Sequence, residues 1–352
     1  MKNMLVTGGC GFIGSNFIRY LLKESDFSGL VVNVDKLTYA GNPENLSDIE
    51  AEFPGQYIFI KADICDQEEM APIFKDHSIG TVCHFAAESH VDRSITGPDA
   101  FIQTNIVGTF RLLECSRANQ GRLELFHHVS TDEVFGSLGA GGFFTEKTSY
   151  RPNSPYSASK AASDHMVRAY NKTYGLPVNI SNCSNNYGPY QFPEKLLPLM
   201  ILNALQGDIL PVYGDGKNMR DWLYVRDHCV AVWNIMKHGK RGETYNIGGD
   251  RQLENIRLVE MICDRLDELR PRDDGRSRRE QITFVEDRPG HDRRYAIDFK
   301  KLKNEIGWTP EESLESGLNK TIKWYIDNTD WVKHVKSGEY RTWIKTHYTP
   351  SR

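Results

Sequence analysis

The sequence predicts an α/β protein with a doubly wound parallel sheet, because short apolar runs alternate with helical patterns along the first half of the chain. The apolar runs predict buried strands at residues 4–6, 30–34, 57–60, 81–85, 123–129 and 178–183. Helical patterns lie between several of them, most clearly at 16–22 and 99–117. Parallel strands need such crossover helices, so the alternation favours a parallel sheet over hairpins.

Composition and charge narrow the classes of protein to consider. The chain has 352 residues, 39% of them hydrophobic, and a net charge of −4. That length allows two domains, and the charge predicts no binding of nucleic acid. No signal-peptide pattern and no membrane-spanning stretch is recognised, so a cytoplasmic location is expected. Cys and His lack zinc-ligand spacing, and the neighbours His127 and His128 should point to opposite strand faces, so no metal is expected.

A glycine-rich turn joins the first strand to the first helix. Its glycines are Gly8, Gly11 and Gly14. The first permits the turn, the second lets a pyrophosphate approach the backbone, and the third lets helix and strand pack closely. Free N–H groups at the start of the helix would then face the phosphates. The spacing is typical of a Rossmann-type dinucleotide site.

A carboxylate follows the second strand, at Asp35, about 20 residues past Gly14. At this distance it can accept hydrogen bonds from the 2′-OH of an adenosine ribose. It would repel a 2′-phosphate, so NAD is favoured over NADP as the cofactor. Lys36, immediately after it, keeps NADP as an alternative.

Polar residues follow the strand at 123–129, where Thr131, Asp132 and Glu133 precede a turn at Gly136. Ligands of open α/β sheets bind outside the carboxyl ends of the strands, so these side chains are placed to meet a ligand. The alternative for this stretch by itself is a solvated exit from the strand.

A second chemical pair lies on the next helix, where Tyr156 and Lys160 are four residues apart and share one face. Ser154 can cap this helix, and Pro155 suits its first position. The ammonium and the helix N-terminus are expected to lower the pKa of Tyr156 from about 10, which would make it a general base. A chance amphipathic pair is the alternative.

The second half of the chain has a looser pattern. Loops rich in amides, cations and aromatic rings at 185–195, 214–222 and 287–294 suit a diphosphate and a base or sugar. Residues 270–280 are highly charged and predict a solvated connector. Two helices are expected to close the chain, at 314–328 and 331–347.

Taken together, these residues resemble the extended short-chain dehydrogenase/reductase family and, in detail, its nucleoside-diphosphate-glucose 4,6-dehydratases. The resemblance covers residue 4 to about 325. The narrower dehydratase signature is the run 130–134 together with the run 185–191. The chain departs from the pattern at Phe135, where Tyr is usual, and at Asn182, where Arg is frequent.

The resemblance implies functional residues by direct match. Oxidation at C4 of the sugar would use Tyr156, Lys160 and Thr131, and elimination of water would use Glu133 as base and Asp132 as acid. The implied NAD contacts are Gly8, Gly11, Phe12, Ile13, Gly14, Asp35, Lys36, Leu37, Thr38, Asp63, Ile64, Ala86, Ala87, Glu88, Ser89, Thr104, Tyr156, Lys160 and Asn186. The implied substrate contacts are His90, Thr131, Asn185, Lys195, Leu196, Pro211, Val212, Tyr213, Arg220, Asn255, Asp287, Arg288, Pro289, Gly290 and His291.

The resemblance also implies an organisation and a partner. We expect an NAD-binding Rossmann domain over 1–183 plus about 222–250, and a smaller α/β domain for the sugar nucleotide over 184–221 plus 251–352. A homodimer is expected through the helix at 99–117 and the helix of Tyr156, whose Ala158, Ala161 and Ala162 would allow close approach. Thymidine is favoured as the nucleotide and uridine stays open.

Two other functions remain at this stage. One is a 4-epimerase of the same fold, against which the neighbouring Asp132 and Glu133 argue. The other is a non-catalytic NAD-sensing module, which would be expected to lack Tyr156 or Lys160.

Overall fold

In the computed structural model, which describes residues 2–337, the larger part of the protein is a seven-stranded parallel sheet. Across all sheets, the strands of the described residues are β1 (Met4–Thr7), β2 (Val31–Asp35), β3 (Tyr57–Lys61), β4 (Thr81–His84), β5 (Leu125–Thr131), β6 (Val178–Cys183), β7 (Asn185–Tyr187), β8 (Leu210–Tyr213), β9 (Met219–Tyr224), β10 (Thr244–Ile247), β11 (Gln252–Glu254) and β12 (Ile282–Val285). The sheet order is β3-β2-β1-β4-β5-β6-β10, with every pairing parallel.

The helices of the described residues cover both faces of this sheet and also build the smaller part of the protein. They are α1 (Phe12–Lys23), α2 (Ser47–Glu52), α3 (Gln67–Asp76), α4 (Val91–Thr96), α5 (Asp99–Phe101), α6 (Thr109–Ala118), α7 (Pro155–Tyr174), α8 (Leu196–Gln206), α9 (Val225–His238), α10 (Asn255–Leu269), α11 (Lys300–Ile306), α12 (Leu314–Asp327) and α13 (Thr329–Ser337). A π-helical segment, Ile102–Gly108, continues α5 into α6. Phe17 of α1 and Val232 of α9 belong to the core on one face, and Phe74 of α3, Leu112 of α6 and Val167 of α7 to the core on the other.

This double cover explains the strand pattern of the sequence. Every residue of β1, β2, β4, β5 and β6 is buried, so these strands need apolar or internally bonded side chains on both faces. The doubly wound α/β fold predicted from the sequence is confirmed. Its chain order reverses at β1, which pairs with β2 on one side and β4 on the other, and ligands bind in the crevice at such a switch point.

The smaller part of the protein follows β6. It contains a three-stranded sheet in the order β11-β9-β7 and a parallel pair of β12 with β8. Helices α8, α10 and α12 pack together around Met200, Ile262 and Ile322, which are buried. Strand β9 crosses the predicted domain boundary near residue 222, and the two-domain division stays a prediction.

Two sequence expectations concern the end of the chain, a solvated connector at 270–280 and a last helix at 331–347. The segment at 270–280 is not simply solvated, because Arg278 within it is buried and donates to the Asp267 carboxylate at 2.8 Å and to the Ala204 carbonyl at 3.2 Å. The last predicted helix is present as α13, and its remainder at 338–347 lies outside the described residues. Between residues 2 and 337, no helix has the length and apolarity needed to cross a bilayer.

Candidate active site

A cavity opens at the carboxyl ends of β1, β2, β4 and β5, where the sheet order reverses. Its wall combines the glycine-rich turn, the loop after β4, the end of β5, the start of α7 and the segment after β6. These stretches, together with the residues at the ends of β2 and β3, converge on one crevice, as expected for a doubly wound sheet.

The glycine-rich turn has the geometry that its sequence predicts. Gly8 has a φ of +72°, a backbone conformation that side chains with a Cβ rarely adopt. A Cβ at Gly14 would lie 2.3 Å from the carbonyl oxygen of Gly8, so helix and turn pack too closely for any larger residue. Helix α1 begins at Phe12, and its first residues face the cavity. The N–H groups of a first helical turn have no partner within the helix and suit a pyrophosphate.

Asp35 lies at the end of β2 and is only 9% exposed. Its carboxylate accepts hydrogen bonds from the backbone N–H of Cys10 at 3.0 Å and of Leu37 at 2.8 Å. Lys36 forms an ion pair with Asp63 at 2.6 Å. Lys36, the residue that made NADP an alternative on sequence grounds, is therefore already paired with Asp63. The Asp35 carboxylate, fixed by two backbone N–H groups, faces the cavity. These residues fit NAD.

Most of the predicted NAD contacts line this cavity. The lining residues among them are Gly8, Gly11, Phe12, Ile13, Gly14, Asp35, Lys36, Thr38, Asp63, Ile64, Ala86, Ala87, Glu88, Ser89, Thr104, Tyr156, Lys160 and Asn186. Leu37 differs, because it contributes its backbone N–H to Asp35 and does not line the cavity.

Sequence reasoning missed several lining residues. They include Tyr39, Ala40, Gly41, Ala62, Phe85, Ser130, Cys183, Ser184, Gln191, Phe192 and Glu194. For some of them a signal existed: the turn after Asp35 contains Gly41, where a Cβ would lie 2.8 Å from the carboxylate of Asp35. Five of them, Cys183, Ser184, Gln191, Phe192 and Glu194, fall within 183–195, a segment whose path cannot be read from local pattern.

The end of β5 brings a hydroxyl and two carboxyls to the cavity. Thr131 caps a short 3₁₀ helix at Asp132–Phe135, and its Oγ1 accepts a hydrogen bond from the N–H of Glu133 at 3.3 Å. Asp132 is 2% exposed, and among the described residues its Oδ2 has no hydrogen-bond partner. An unpartnered buried carboxyl oxygen is costly, so Asp132 is a candidate for a protonated acid.

The surroundings differ for the two carboxyls. Burial raises the pKa of Asp132 well above its usual range, and the negative charge of Glu133 raises it further. Burial also raises the pKa of Glu133, but the cations Arg288, Arg220 and Lys195 oppose that effect. One carboxyl is thus favoured in its neutral form while the other faces three positive charges. Such a difference is the requirement for one acid and one base.

Helix α7 begins as the sequence predicts. Ser154 is its N-cap in a capping box with Ser157, and Pro155 is its first residue. Tyr156 and Lys160 both line the cavity, and Lys160 Nζ donates to the carbonyl of Val129 at 2.8 Å. The lysine is therefore held against β5 beside the residues that end that strand.

The predicted lowering of the pKa of Tyr156 is wrong. Burial raises this pKa well above 10, and the negative charge of Glu133 adds to the increase. A hydrogen bond with Thr131 is the opposing influence. Lys160 is itself buried, so burial lowers its own pKa. The sequence indicated the proximity of the pair but not the low polarity around it.

The predicted substrate residues divide into three groups. Thr131, Asn185 and Lys195 line the cavity. Arg220 and Arg288 act on Glu133 by charge. The others are not part of the cavity lining: His90 lies beside Glu194, Leu196 at the start of α8, Pro211, Val212 and Tyr213 in β8, Asn255 at the start of α10, and Asp287, Pro289, Gly290 and His291 in one loop. Val212 is 2% exposed and belongs to the core, which leaves its side chain little surface for a ligand.

Arg288 has a partner that sequence reasoning missed. Its Nη1 donates to Asp92 at 3.0 Å, and the hydroxyl of Tyr213 lies 3.5 Å from the other oxygen of Asp92. The loop that carries Arg288 is also fixed by His291, whose Nδ1 is 2.5 Å from Asp287. Because Asp92 belongs to α4, which follows the NAD-side loop, these contacts join the two sides of the crevice.

Comparison with known proteins gives consistent matches. A family model described as GDP-mannose 4,6 dehydratase matches residues 5–321. The dTDP-glucose 4,6-dehydratase 1 of Escherichia coli (strain K12) is 56% identical, with 98% of each chain covered. A dTDP-glucose 4,6-dehydratase from Bacillus anthracis, solved in complex with NAD, is 45% identical with a TM-score of 0.85, covering 95% of this chain and 100% of its own.

The fold is also shared with another activity. A UDP-glucose 4-epimerase from Thermotoga maritima is 30% identical with a TM-score of 0.82, covering 93% of this chain and 99% of its own. Identity is lower there than with the dehydratases, over nearly the same length. By the match of the family model and the identity to these relatives, the chain belongs to the nucleotide-sugar 4,6-dehydratases of the extended short-chain dehydrogenase/reductase family.

Proposed function

We propose that the protein is a hydro-lyase that converts dTDP-glucose to dTDP-4-keto-6-deoxyglucose with bound NAD. The observation that carries this proposal is the neighbouring pair Asp132 and Glu133 at the end of β5, which share one cavity with Tyr156 and Lys160. The relatives named above support the substrate and the cofactor. The residues that line the cavity would hold NAD, which would supply the hydride chemistry between C4 and C6 of the sugar.

The first set of residues acts at C4. Tyr156 is the base for the 4-OH proton, because its phenol lines the cavity next to Thr131. The hydroxyl of Thr131 donates to the oxygen on which negative charge develops. Lys160 contributes a fixed positive charge, held by the carbonyl of Val129. The high pKa of Tyr156 makes that nearby charge important, since phenolate must form in a buried site.

The second set acts across C5 and C6. A ketone at C4 acidifies the C5 proton, and Glu133 is the base that removes it. Asp132, whose pKa is raised by burial, holds a proton that it gives to the C6 oxygen as water leaves. The cations beside Glu133 favour its carboxylate form. The difference between the two surroundings supports Asp132 as the acid and Glu133 as the base.

The diphosphate of the substrate needs positive charge in the same crevice. Lys195 lines the cavity, and Arg220 and Arg288 lie close enough to act on Glu133. Arg220 is 5% exposed and stacks over the ring of Tyr295 at 4.3 Å, so its guanidinium is held in a fixed position. Fixed guanidinium groups suit phosphate oxygens better than flexible ammonium groups.

A 4-epimerase is the second candidate, because the fold is shared with a UDP-glucose 4-epimerase. Epimerisation needs the residues at C4 but neither an acid nor a base at C5 and C6. Asp132 and Glu133 therefore favour dehydration. A dehydratase that acts on UDP-glucose is a further alternative, which differs only in the nucleotide.

One experiment separates these functions. The purified protein is supplied with dTDP-glucose, UDP-glucose and GDP-mannose in parallel, and the 4-keto product is detected by its ultraviolet absorbance in alkali. We expect product from dTDP-glucose at the highest kcat/KM. Galactose-configured product without a 6-deoxy group would instead identify an epimerase, and faster turnover of UDP-glucose would reassign the nucleotide.

We also propose a homodimer formed by α7 and the helix that runs from α5 to α6. Ala158 is exposed and Ala162 partly exposed on α7, and Ile102 is 47% exposed on the neighbouring helix. Ala161 differs from the sequence expectation, because it is 6% exposed and packs with Phe135 and its neighbours in the core. The remaining small and apolar side chains support close approach of a second copy of these helices.

A further inference from the structure

Helix α7 carries a third ionisable residue on the face that holds Tyr156 and Lys160. Asp164 is four residues beyond Lys160, so the three side chains follow one another along the helix. Asp164 is fully buried and does not line the cavity. The proposed chemistry gives it no role, and an ionisable group in the core needs a reason to be there.

The carboxylate of Asp164 is held by several donors. Its Oδ2 accepts hydrogen bonds from Tyr150 Oη at 2.7 Å, Ser130 Oγ at 2.9 Å and Asn182 Nδ2 at 3.4 Å. Its Oδ1 lies 3.2 Å from His128 Nε2. These partners come from a loop, from β5 and from β6. They fix the carboxylate in one position behind the cavity.

These contacts also decide its charge. Burial alone would raise the pKa of Asp164, but His128, Lys160 and Tyr150 together outweigh burial and hold the pKa below its usual value. Asp164 is thus a buried carboxylate that is ionised at neutral pH. Such a charge is stable only when a partner of opposite charge is nearby.

Lys160, also on α7, is a cation near Asp164 that lines the cavity. His128 on β5 and His84 on β4 also face this region, and burial lowers the pKa of both, to about 4 for His128, so they are neutral. Arg168 on α7 donates to the hydroxyl of Tyr150 at 2.7 Å, on the side away from the cavity. On β6, Cys183 also faces Lys160, and burial raises its pKa to about 12, so it is an uncharged thiol.

The same network reaches the end of β5. Ser130, which donates to Asp164, precedes Thr131 in the chain. Asn182 donates both to Asp164 and to the backbone carbonyl of Thr131, the latter at 3.1 Å. Asp164 is therefore linked through hydrogen bonds to the end of β5, which carries Thr131, the residue whose hydroxyl is proposed to act at C4 of the sugar. A substitution of Asp164 would therefore change the protonation of Lys160 through the loss of charge, and the position of Thr131 through the loss of hydrogen bonds.

We propose that Asp164 is a positioning residue that keeps Lys160 protonated and holds the end of β5 in place beside that lysine. This inference rests on the proposed function and deepens it, since it identifies the residue that maintains the positive charge of Lys160 near C4 of the sugar. Burial lowers the pKa of Lys160, and Asp164 is the largest influence that opposes this loss. Without the carboxylate, Lys160 would lose its proton at a lower pH, and with it the charge that stabilises the phenolate of Tyr156.

The test is the substitution Asp164→Asn, which keeps the shape and most hydrogen-bonding capacity but removes the charge. The NAD-loaded protein is labelled with lysine carrying ¹³C at Cε, and the Lys160 signal is identified by its loss in Lys160→Arg. We expect the titration midpoint of Lys160 to fall by about one pH unit or more in Asp164→Asn. The alkaline limb of cofactor reduction, followed after one addition of dTDP-glucose, should move to lower pH by the same amount.

A matched control is Asp227→Asn. Asp227 is also a buried helical carboxyl, 3% exposed, but it accepts the backbone N–H groups of Glu311 and Glu312 away from the cavity. Its substitution should leave the Lys160 midpoint unchanged. Asp164→Ser, which also removes the negative charge but leaves a smaller polar side chain, should lower the midpoint as Asp164→Asn does.

The outcomes are distinguishable. An unchanged Lys160 midpoint in folded Asp164→Asn overturns the inference, and if that variant does not fold, an unchanged midpoint in Asp164→Ser overturns it. Failure of the wild type to convert dTDP-glucose would reject the proposed function instead. The nuclear magnetic resonance titration does not depend on turnover, so it still decides the assignment of Asp164 in that case.

Discussion

Asp35 accepts a hydrogen bond from the backbone N–H of Cys10 at 3.0 Å, which ties the end of β2 to the glycine-rich turn. The carboxylate proposed to bind the ribose and the turn proposed to meet the pyrophosphate are thus fixed relative to each other. Both oxygens of Asp35 are oriented by backbone donors, since Leu37 holds the second one. Each oxygen still has capacity for one more hydrogen bond, as a ribose diol requires.

This arrangement predicts retention of NAD. We expect the purified protein to carry NAD(H), and Asp35→Ala to bind NAD about 10–100-fold more weakly, the effect of losing hydrogen bonds to a charged group. Cofactor content is measured after denaturation, and affinity by calorimetry. Asp66→Ala is the control, because Asp66 also accepts two backbone N–H groups but caps α3 outside the cavity. Recovery of mainly NADP would reject the role of Asp35.

A second prediction concerns Tyr156. The substitution Tyr156→Phe removes the base for the 4-OH proton and keeps the ring in its buried site. We expect no reduced cofactor to form when dTDP-glucose is added, measured by absorbance in the near ultraviolet. Tyr174→Phe, at the exposed end of α7, should behave as wild type. Reduction of the cofactor at the wild-type rate in Tyr156→Phe would show that another group is the base.

Local sequence patterns were sufficient for the features that depend on neighbouring residues. The turn at Gly8, the cap at Ser154 and the end of β2 at Asp35 each follow from the residues within a few positions. Their physical causes are backbone conformation, an N-cap hydrogen bond and the length of an apolar run. The doubly wound sheet follows in turn from the alternation of such elements.

Other features depend on packing between distant segments. The cations that oppose the pKa increase of Glu133 come from three distant segments, which no local pattern connects: Lys195 before α8, Arg220 in β9 and Arg288 in the loop after β12. The pKa of Tyr156 is raised where the sequence predicted a decrease, because burial is a property of the assembled core. Arg278 illustrates the same limit, since its charged surroundings suggested solvent and its guanidinium is buried.

The proposed dimer gives a third prediction. We expect light scattering at micromolar concentration to give twice the mass of the 40.2 kDa chain. Ala162→Arg places a long charged side chain on the partly exposed face of α7, so it should yield a monomer. Lys172→Ala, an exposed change near the end of the same helix, is the control. A monomeric wild type would reject the dimer, and a dimeric Ala162→Arg would place the interface elsewhere.

The raised pKa of Asp132 predicts how stability varies with pH. Its folded pKa lies above the unfolded value of about 3.9. Between these two values the unfolded chain releases the proton that the folded protein keeps, so the wild type loses stability as pH rises. Asp132→Asn has no proton to lose. We expect it to raise the melting temperature by roughly 2–4 °C at neutral pH, with a gain that disappears near pH 4.

Asp48→Asn is a control of opposite sign. Burial would raise the pKa of Asp48, but hydrogen bonds from Arg19 and Lys23 outweigh it and lower the pKa to about 2. Its ion pairs therefore stabilise the fold above the unfolded pKa, and this contribution is lost as pH falls towards 2. Asp48→Asn should melt lower than wild type at neutral pH and approach it in acid. A melting temperature of Asp132→Asn below wild type at neutral pH would contradict a neutral buried acid at that position.

The last prediction separates the two halves of the proposed reaction. Glu133→Gln and Asp132→Asn keep the shape of the site and lose proton transfer at C5 and C6. We expect each to lose overall turnover by roughly 10²–10⁴-fold, the usual weight of one positioned acid or base. Tyr156, Lys160 and Thr131 are unchanged in both variants, so oxidation at C4 continues. Reduced cofactor should then accumulate on the protein and absorb in the near ultraviolet, in contrast to Tyr156→Phe.

Glu146→Gln is the matched control for this pair. Glu146 is partly buried, and burial raises its pKa as it does for Glu133, but it accepts the N–H of Asn246 at 3.0 Å outside the cavity. The turnover of Glu146→Gln should equal that of wild type. A loss of turnover in Glu133→Gln would then result from the location of Glu133 in the cavity and not from the removal of a buried carboxyl as such. If Glu133→Gln and Asp132→Asn dehydrate dTDP-glucose at wild-type rates, the two carboxyls are only the exit of β5 from the sheet, because a step that needs an acid and a base cannot survive the loss of either.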